Sequence, residues 1–170
     1  MPAVASPVRD PAWQVSRGAI GLWTVQSVVG ALFLGLAVGA FFWFVPADVG
    51  DPIPLLRWLL PIAVVLYSVV SIVVRPRLKH RIYRWEITGD AAYTKTGWLS
   101  QTWTLVPISR IQTVDVTRGV LQQMFGLASV AVLTASSVGL VRIEHLEHAV
   151  AQRVAEDLAH RAEQVRDQAT

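Results

Sequence analysis

Two long apolar runs open the chain, and the spacing of apolar positions then changes twice. From Gly18 to Val45 no charged residue occurs for 28 positions, GAIGLWTVQSVVGALFLGLAVGAFFWFV. A helix crosses the hydrocarbon core with about 20 apolar residues, so the run predicts a transmembrane helix over 18–45, somewhat tilted. The apolar stretch of a signal peptide is only about 7–15 residues long, which disfavours a cleaved leader. A second run predicts a transmembrane helix over 55–74. It holds Arg57 close to one end and Pro61 in its first turns. An arginine there can snorkel to the interface, and a proline costs least near a helix start.

Beyond Arg84 the period falls to two. Tyr83, Trp85 and Ile87 alternate with Arg84, Glu86 and Thr88, as in a half-buried strand. Gly89-Asp90 predicts a tight turn, AAYTKT a return strand, and WLSQTWTLVPI a third strand interrupted before it by Gly97 and stopped by Pro107. A fourth strand is expected around Ile111, Thr113 and Asp115. VLQQMFG reads as one helical turn closed by Gly126 at positive φ, with Met124 and Phe125 tucked into the core. ASVAVLTAS follows as a strand with Val130, Val132 and Thr134 on one face, then a turn at Ser136-Ser137 and a strand GLVRI. The period changes once more in the tail. Leu146, Val150, Val154, Leu158, Ala162 and Val165 recur at helical spacing, the narrow stripe of a helix that caps an open end of a sheet.

Charge supplies an orientation. The expected loop over 46–54 carries Asp48 and Asp51, whereas Arg9 and Arg17 precede the first run and Arg75, Arg77, Lys79, Arg81 and Arg84 follow the second. Positive charge stays on the cytoplasmic side, so both termini are expected inside and the loop outside, in a multi-pass protein of the cell membrane. The five cations after the second run form a basic juxtamembrane segment over 75–84 that anchors the chain at the membrane surface. The pI near 9.8 does not point to nucleic acid. From Trp85 onward there are 7 Lys/Arg against 9 Asp/Glu, a balance of −2, so the basic surplus belongs to the membrane boundary.

The candidate chemistry is thin. The chain has no cysteine, which removes disulfides, thiolate metal sites and a cysteine nucleophile. Neither run carries an ionisable group at its centre, as proton or ion pathways require. No phosphate-binding loop, dinucleotide fingerprint or nucleophile elbow is present. Glu144-His145 and Glu147-His148 place two histidines on one face of an expected helix start, but no third ligand joins them, and a zinc site needs three or four. Ala31, Gly35 and Gly39 form a small-residue face on the first helix, which is expected to pack against Ala63, Ser68 and Ser71 of the second rather than form a homodimer.

Gly97-Trp98-Leu99, then Val106-Pro107-Ile108-Ser109-Arg110-Ile111-Gln112-Thr113-Val114, Phe125-Gly126-Leu127-Ala128 and Leu133-Thr134-Ala135-Ser136 form an ordered series that resembles a family of bacterial PH-like (pleckstrin-homology-like) membrane proteins, formerly a domain of unknown function. The resemblance covers about residues 20–160, and Gln101, Gln123 and Ser137-Val138-Gly139 depart from it. It implies an α+β membrane protein: two transmembrane helices followed by a PH-like antiparallel β sandwich or barrel capped by a C-terminal helix. The expected organisation is an N-terminal arm (1–17), the two helices and their loop, the basic segment, and a cytoplasmic PH-like domain over 85–166. An inositol-phosphate site would need converging cations, yet the first turn is Thr88-Gly89-Asp90 and Lys95 stands alone.

The expectation is therefore a membrane-anchored interaction module of the bacterial inner membrane, a subunit of a membrane protein complex and not an enzyme, with no cofactor or metal. Its partners are another membrane protein or a second copy, with non-specific attraction to anionic lipid and no nucleic acid. The alternative is a lipid-sensing or lipid-handling accessory at the inner leaflet.

Overall fold

Helix α1 runs Gly18–Phe44 and α2 runs Ile53–Val69 in the computed structural model, which describes residues 10–45, 53–97, 100–135 and 139–168. Gly18–Phe44 and Leu55–Ile82 each contain an 18-residue window of mean hydropathy 2.1 and have the length to cross a membrane. The expected loop with Asp48 and Asp51 lies outside the described residues. So do the Trp98-Leu99 pair and the turn at Ser136-Ser137.

The second helix continues past Val74. A π-helical turn, Val70–Val74, carries it into α3 (Arg75–Ile82). Pro76 explains the widening: it has no N–H to give and its ring crowds the carbonyl four residues back, so the turn ahead of it opens. The Arg75 N–H then reaches Val70 O, and Arg77 Nη1 donates to the Val73 carbonyl.

The small-residue face of α1 does not pack as expected. A Cβ built on Gly30, Gly35 or Gly39 meets no atom within 4 Å among the described residues, and Ala31, Gly35 and Gly39 line an open groove of about 570 Å³. The second helix is tied to the first elsewhere. Arg57 Nη2 lies 3.4 Å from both Phe42 O and Val45 O, and its guanidinium is 5.8 Å from the Phe42 ring. Carbonyls at a helix C-terminus lack intrahelical donors, and a cation there satisfies both the hydrogen bond and the dipole. The sequence suggested only that Arg57 snorkels.

The described residues of Met1–Ala19 and Leu78–Thr170 form one compact unit, and Ile20–Arg77 form another. In the first unit, β1 (Trp13–Gln14), β2 (Arg84–Ile87), β3 (Ala91–Thr96) and β4 (Thr102–Pro107) make an antiparallel sheet in that order. The other sheet is β5 (Ile111–Thr117), β6 (Leu127–Thr134) and β7 (Leu140–Glu147), with the single turn α4 (Val120–Met124) ahead of β6. Helix α5 (His148–Gln168) packs on this second sheet. The core joins Val106, Ile108 and Ile111 to Val130, Val132, Ile143 and Leu146, and to Ala151, Val154, Ala155, Leu158 and Ala162 of α5.

Two glycines fix the turns. At Gly97, with φ +89°, a Cβ would lie 1.9 Å from Ser100 O, so no larger residue fits. Gly126 adopts φ +66° and ends α4, as the sequence predicts. Two expectations need correction. Met124 is 75% exposed and Phe125 only half-buried, because one helical turn ahead of β6 cannot turn every apolar side chain inward. Strand β6 sets Val130, Val132 and Thr134 on one buried face, as expected, and on its other face Gln122 Nε2 donates to Ser129 Oγ at 2.8 Å. Leu146 belongs to β7, and the helix starts two residues later.

Candidate interaction site

The segment Asp10–Ser16, ahead of the first apolar helix, is part of the domain that follows the second. Trp13 pairs with Trp85 and Gln14 with Arg84, and the Val15 N–H donates to Tyr83 O at 3.4 Å. Pro11 is buried, its carbonyl accepting from Arg84 Nη1 at 3.5 Å, and the Ala12 N–H donates to Glu86 Oε2 at 3.0 Å. Lys95 Nζ donates to Asp10 Oδ1 at 2.7 Å and lies 4.9 Å from the Trp103 ring centroid; Trp103 Nε1 donates to the same carboxylate oxygen at 3.2 Å. These bonds, the Lys95 bond foremost, hold the Asp10 carboxyl below its ordinary 3.8. Lys95, which the sequence leaves standing alone, is thus fully engaged.

The arm is held at its other end by a bulge. The register of β6 and β7 shifts between Ala128 and Val130, and His145 there has φ +59°, a conformation uncommon for a residue with a side chain. The His145 carbonyl accepts the Ser16 N–H at 3.0 Å, and its Nδ1 lies 3.4 Å from Gln122 Nε2. Burial lowers the His145 pKa from 6.5; Lys79 pushes the same way and Glu144 opposes both. His145 therefore lies in a strand bulge and His148 opens α5, so the expected helix face shared by Glu144, His145, Glu147 and His148 does not exist.

Between the arm and α5 lies a groove of about 840 Å³. One wall is Trp13, Gln14, Ser16 and Arg17; the other is Leu146, Glu147, Val150, Arg153, Val154 and Asp157, with Trp85 at the floor's end. The fold around this groove is two antiparallel sheets closed by a C-terminal helix. The bacterial PH domain family matches residues 20–162 of the chain. The chain belongs to that family. It is similar to UPF0699 transmembrane protein YdbS of Bacillus subtilis (strain 168), 25% identical over 145 residues that cover 82% of this chain and 87% of that protein. No solved structure matches. The family match takes in both apolar helices and leaves the arm strand β1 outside it.

Against the PH domain, the residues singled out in the sequence fall into separate places. Arg75, Arg77, Lys79 and Arg81 lie on α3, which continues the second apolar helix through the π-helical turn. Arg84, grouped with them by spacing, sits on β2 and holds the arm. Phe125 and Gly126 flank the start of β6, where the backbone of Gly18 approaches: a Cβ on Gly18 would be 3.2 Å from both Phe125 O and the Leu127 side chain. The arm itself gave no warning. Trp13–Gln14 is two residues long, and a period-2 pattern needs about four to be seen.

Proposed function

We propose that the chain is a membrane-anchored interaction module, a multi-pass protein whose two termini are both cytoplasmic and whose PH domain binds another membrane protein or a second copy of itself. The observation that carries this reading is the joining of β1, from before the transmembrane helices, to β2, from after them. A sheet built from both sides of the hairpin requires both of its ends on one face of the membrane. The cations of α3 and Arg17 favour the cytoplasmic face. The domain itself has little positive charge to read a headgroup, and Lys95 is already bonded to Asp10. The uncovered Ala31, Gly35 and Gly39 face of α1 suits close approach of a partner helix. The reading makes the protein a tethered binding surface and not an enzyme; anionic lipid is attracted to α3 without discrimination, at about 1 kcal/mol per cation near the surface.

Single cysteines at Asp48 and Glu163 in this cysteine-free chain test the orientation. An impermeant maleimide applied to intact cells should label the Asp48 site and spare the Glu163 site; the reverse pattern overturns it. Purification in mild detergent should retain a stoichiometric protein partner or a homo-oligomer. A chain that elutes alone and monomeric under those conditions contradicts the interaction reading.

A further inference from the structure

Tethering alone gives no role to the open face of α1, the strained His145 or the groove beside β1. Among the described residues, strand β1 is the edge of its sheet and pairs with β2 alone. In an antiparallel pair, residues alternate between exchanging hydrogen bonds with the partner and turning their N–H and C=O away from it. Val15 donates to Tyr83, so Val15 and Trp13 face β2, and Gln14 turns both backbone groups to the free edge. That edge forms a wall of the groove, and Leu146, Val150 and Val154 line the opposite side.

We infer that this groove takes an extended segment of another polypeptide, which adds as a strand to β1 at Gln14 and sets alternate apolar side chains against α5. A strand supplied to an open edge gains main-chain hydrogen bonds from the edge and specificity from pockets for every second side chain. A volume of about 840 Å³ falls within the usual range for binding clefts, roughly 300–1,000 Å³. Charge selects the segment. Asp157 is bonded to Arg161 at 2.8 Å, whereas Arg17 makes no hydrogen bond or ion pair among the described residues and Arg153 bonds only the Ala149 carbonyl of its own helix. Against Glu147 this leaves the rim net positive. The segment is therefore apolar at alternate positions and acidic between them. This inference rests on the interaction reading and gives it a surface.

Gln14→Pro separates strand addition from mere proximity. Proline removes only the N–H that faces the free edge, and the β1–β2 bonds at Trp13 and Val15 remain. The full chain in lipid nanodiscs is panned against a phage-displayed library of random octapeptides, beside Gln14→Pro and Val150→Glu. Selection on the parent should enrich peptides that alternate apolar residues with Asp or Glu. Their affinity should fall roughly tenfold in Gln14→Pro, the loss of a backbone hydrogen bond, with the melting temperature unchanged. Val150→Glu should abolish binding. No enrichment on the parent, enrichment of Lys- and Arg-rich peptides, or equal binding to Gln14→Pro overturns the inference. If the Gln14→Pro variant still retains the parent's partner in detergent, the interaction reading stands and only this surface falls.

Discussion

Lys95 on β3 and Asp10 on the N-terminal arm meet at 2.7 Å, although both transmembrane helices lie between them in the sequence. The lysine side chain is only 11% exposed and the carboxylate 54%. A cation so covered is stable only with a partner, and the arm provides it. Lys95→Met keeps the packing beneath Trp103 and removes the bond. Hydrogen exchange should then show several-fold faster exchange of the Val15 amide, which bonds Tyr83 O, with β3 and β4 unchanged. Equal protection of Val15 in parent and variant would mean that the ion pair does not hold the arm.

His145 makes the domain sensitive to acid. Burial disfavours its charged form, so its folded pKa lies below the ordinary 6.5. Below that pH the unfolded chain takes up a proton that the folded chain resists, so the contribution is complete above about pH 6.5 and is lost as pH falls through the folded pKa. Thermal melts should show a midpoint that falls as the pH drops below about 6.5, and His145→Asn, which tolerates the same backbone conformation, should flatten that slope. An unchanged slope in His145→Asn would assign the acid sensitivity to other groups.

Burial ranks three apolar residues that sequence spacing treats alike. Leu158 is 0% exposed, Phe125 half-buried and Met124 75% exposed. Leu158→Ala should cost about 2–5 kcal/mol, Phe125→Ala about 1–2 kcal/mol, near half of a fully buried ring, and Met124→Ala close to nothing. Denaturant titration of the three variants gives the order directly. Any inversion between Leu158 and Met124 would contradict the packing of α5 on the second sheet.

Much of this architecture is legible in the residues. An uncharged run of 28 positions admits few alternatives to a long apolar helix, and the turns at Gly97 and Gly126 are dictated by glycine where the backbone turns to positive φ. Spacing places the start of the tail helix two residues early because Leu146 lies four before Val150, a helical interval that a strand ending in a bulge reproduces by accident. The arm is invisible for a different reason. Its partner strand is about 70 residues away, beyond both apolar helices, and no local period encodes so distant a pairing. Arg84 shows the same limit: adjacent to four cations of α3, it looks like one of them, yet the strand begins at that residue and turns it toward Pro11.

The central claim is that the two apolar helices are inserted between the first and second strands of one sheet. Gln14 and Arg84 face each other as a pair that exchanges no backbone hydrogen bonds, the closer of the two antiparallel spacings, with Cβ atoms about 4.5–5.5 Å apart. Cysteines at these two positions, in a chain that has no others, should form an intramolecular disulfide on mild oxidation in native membranes. Gln14→Cys paired with a cysteine at the distant Glu163 should not. A monomer that stays reduced at Gln14 and Arg84 while both thiols remain reactive would contradict the account.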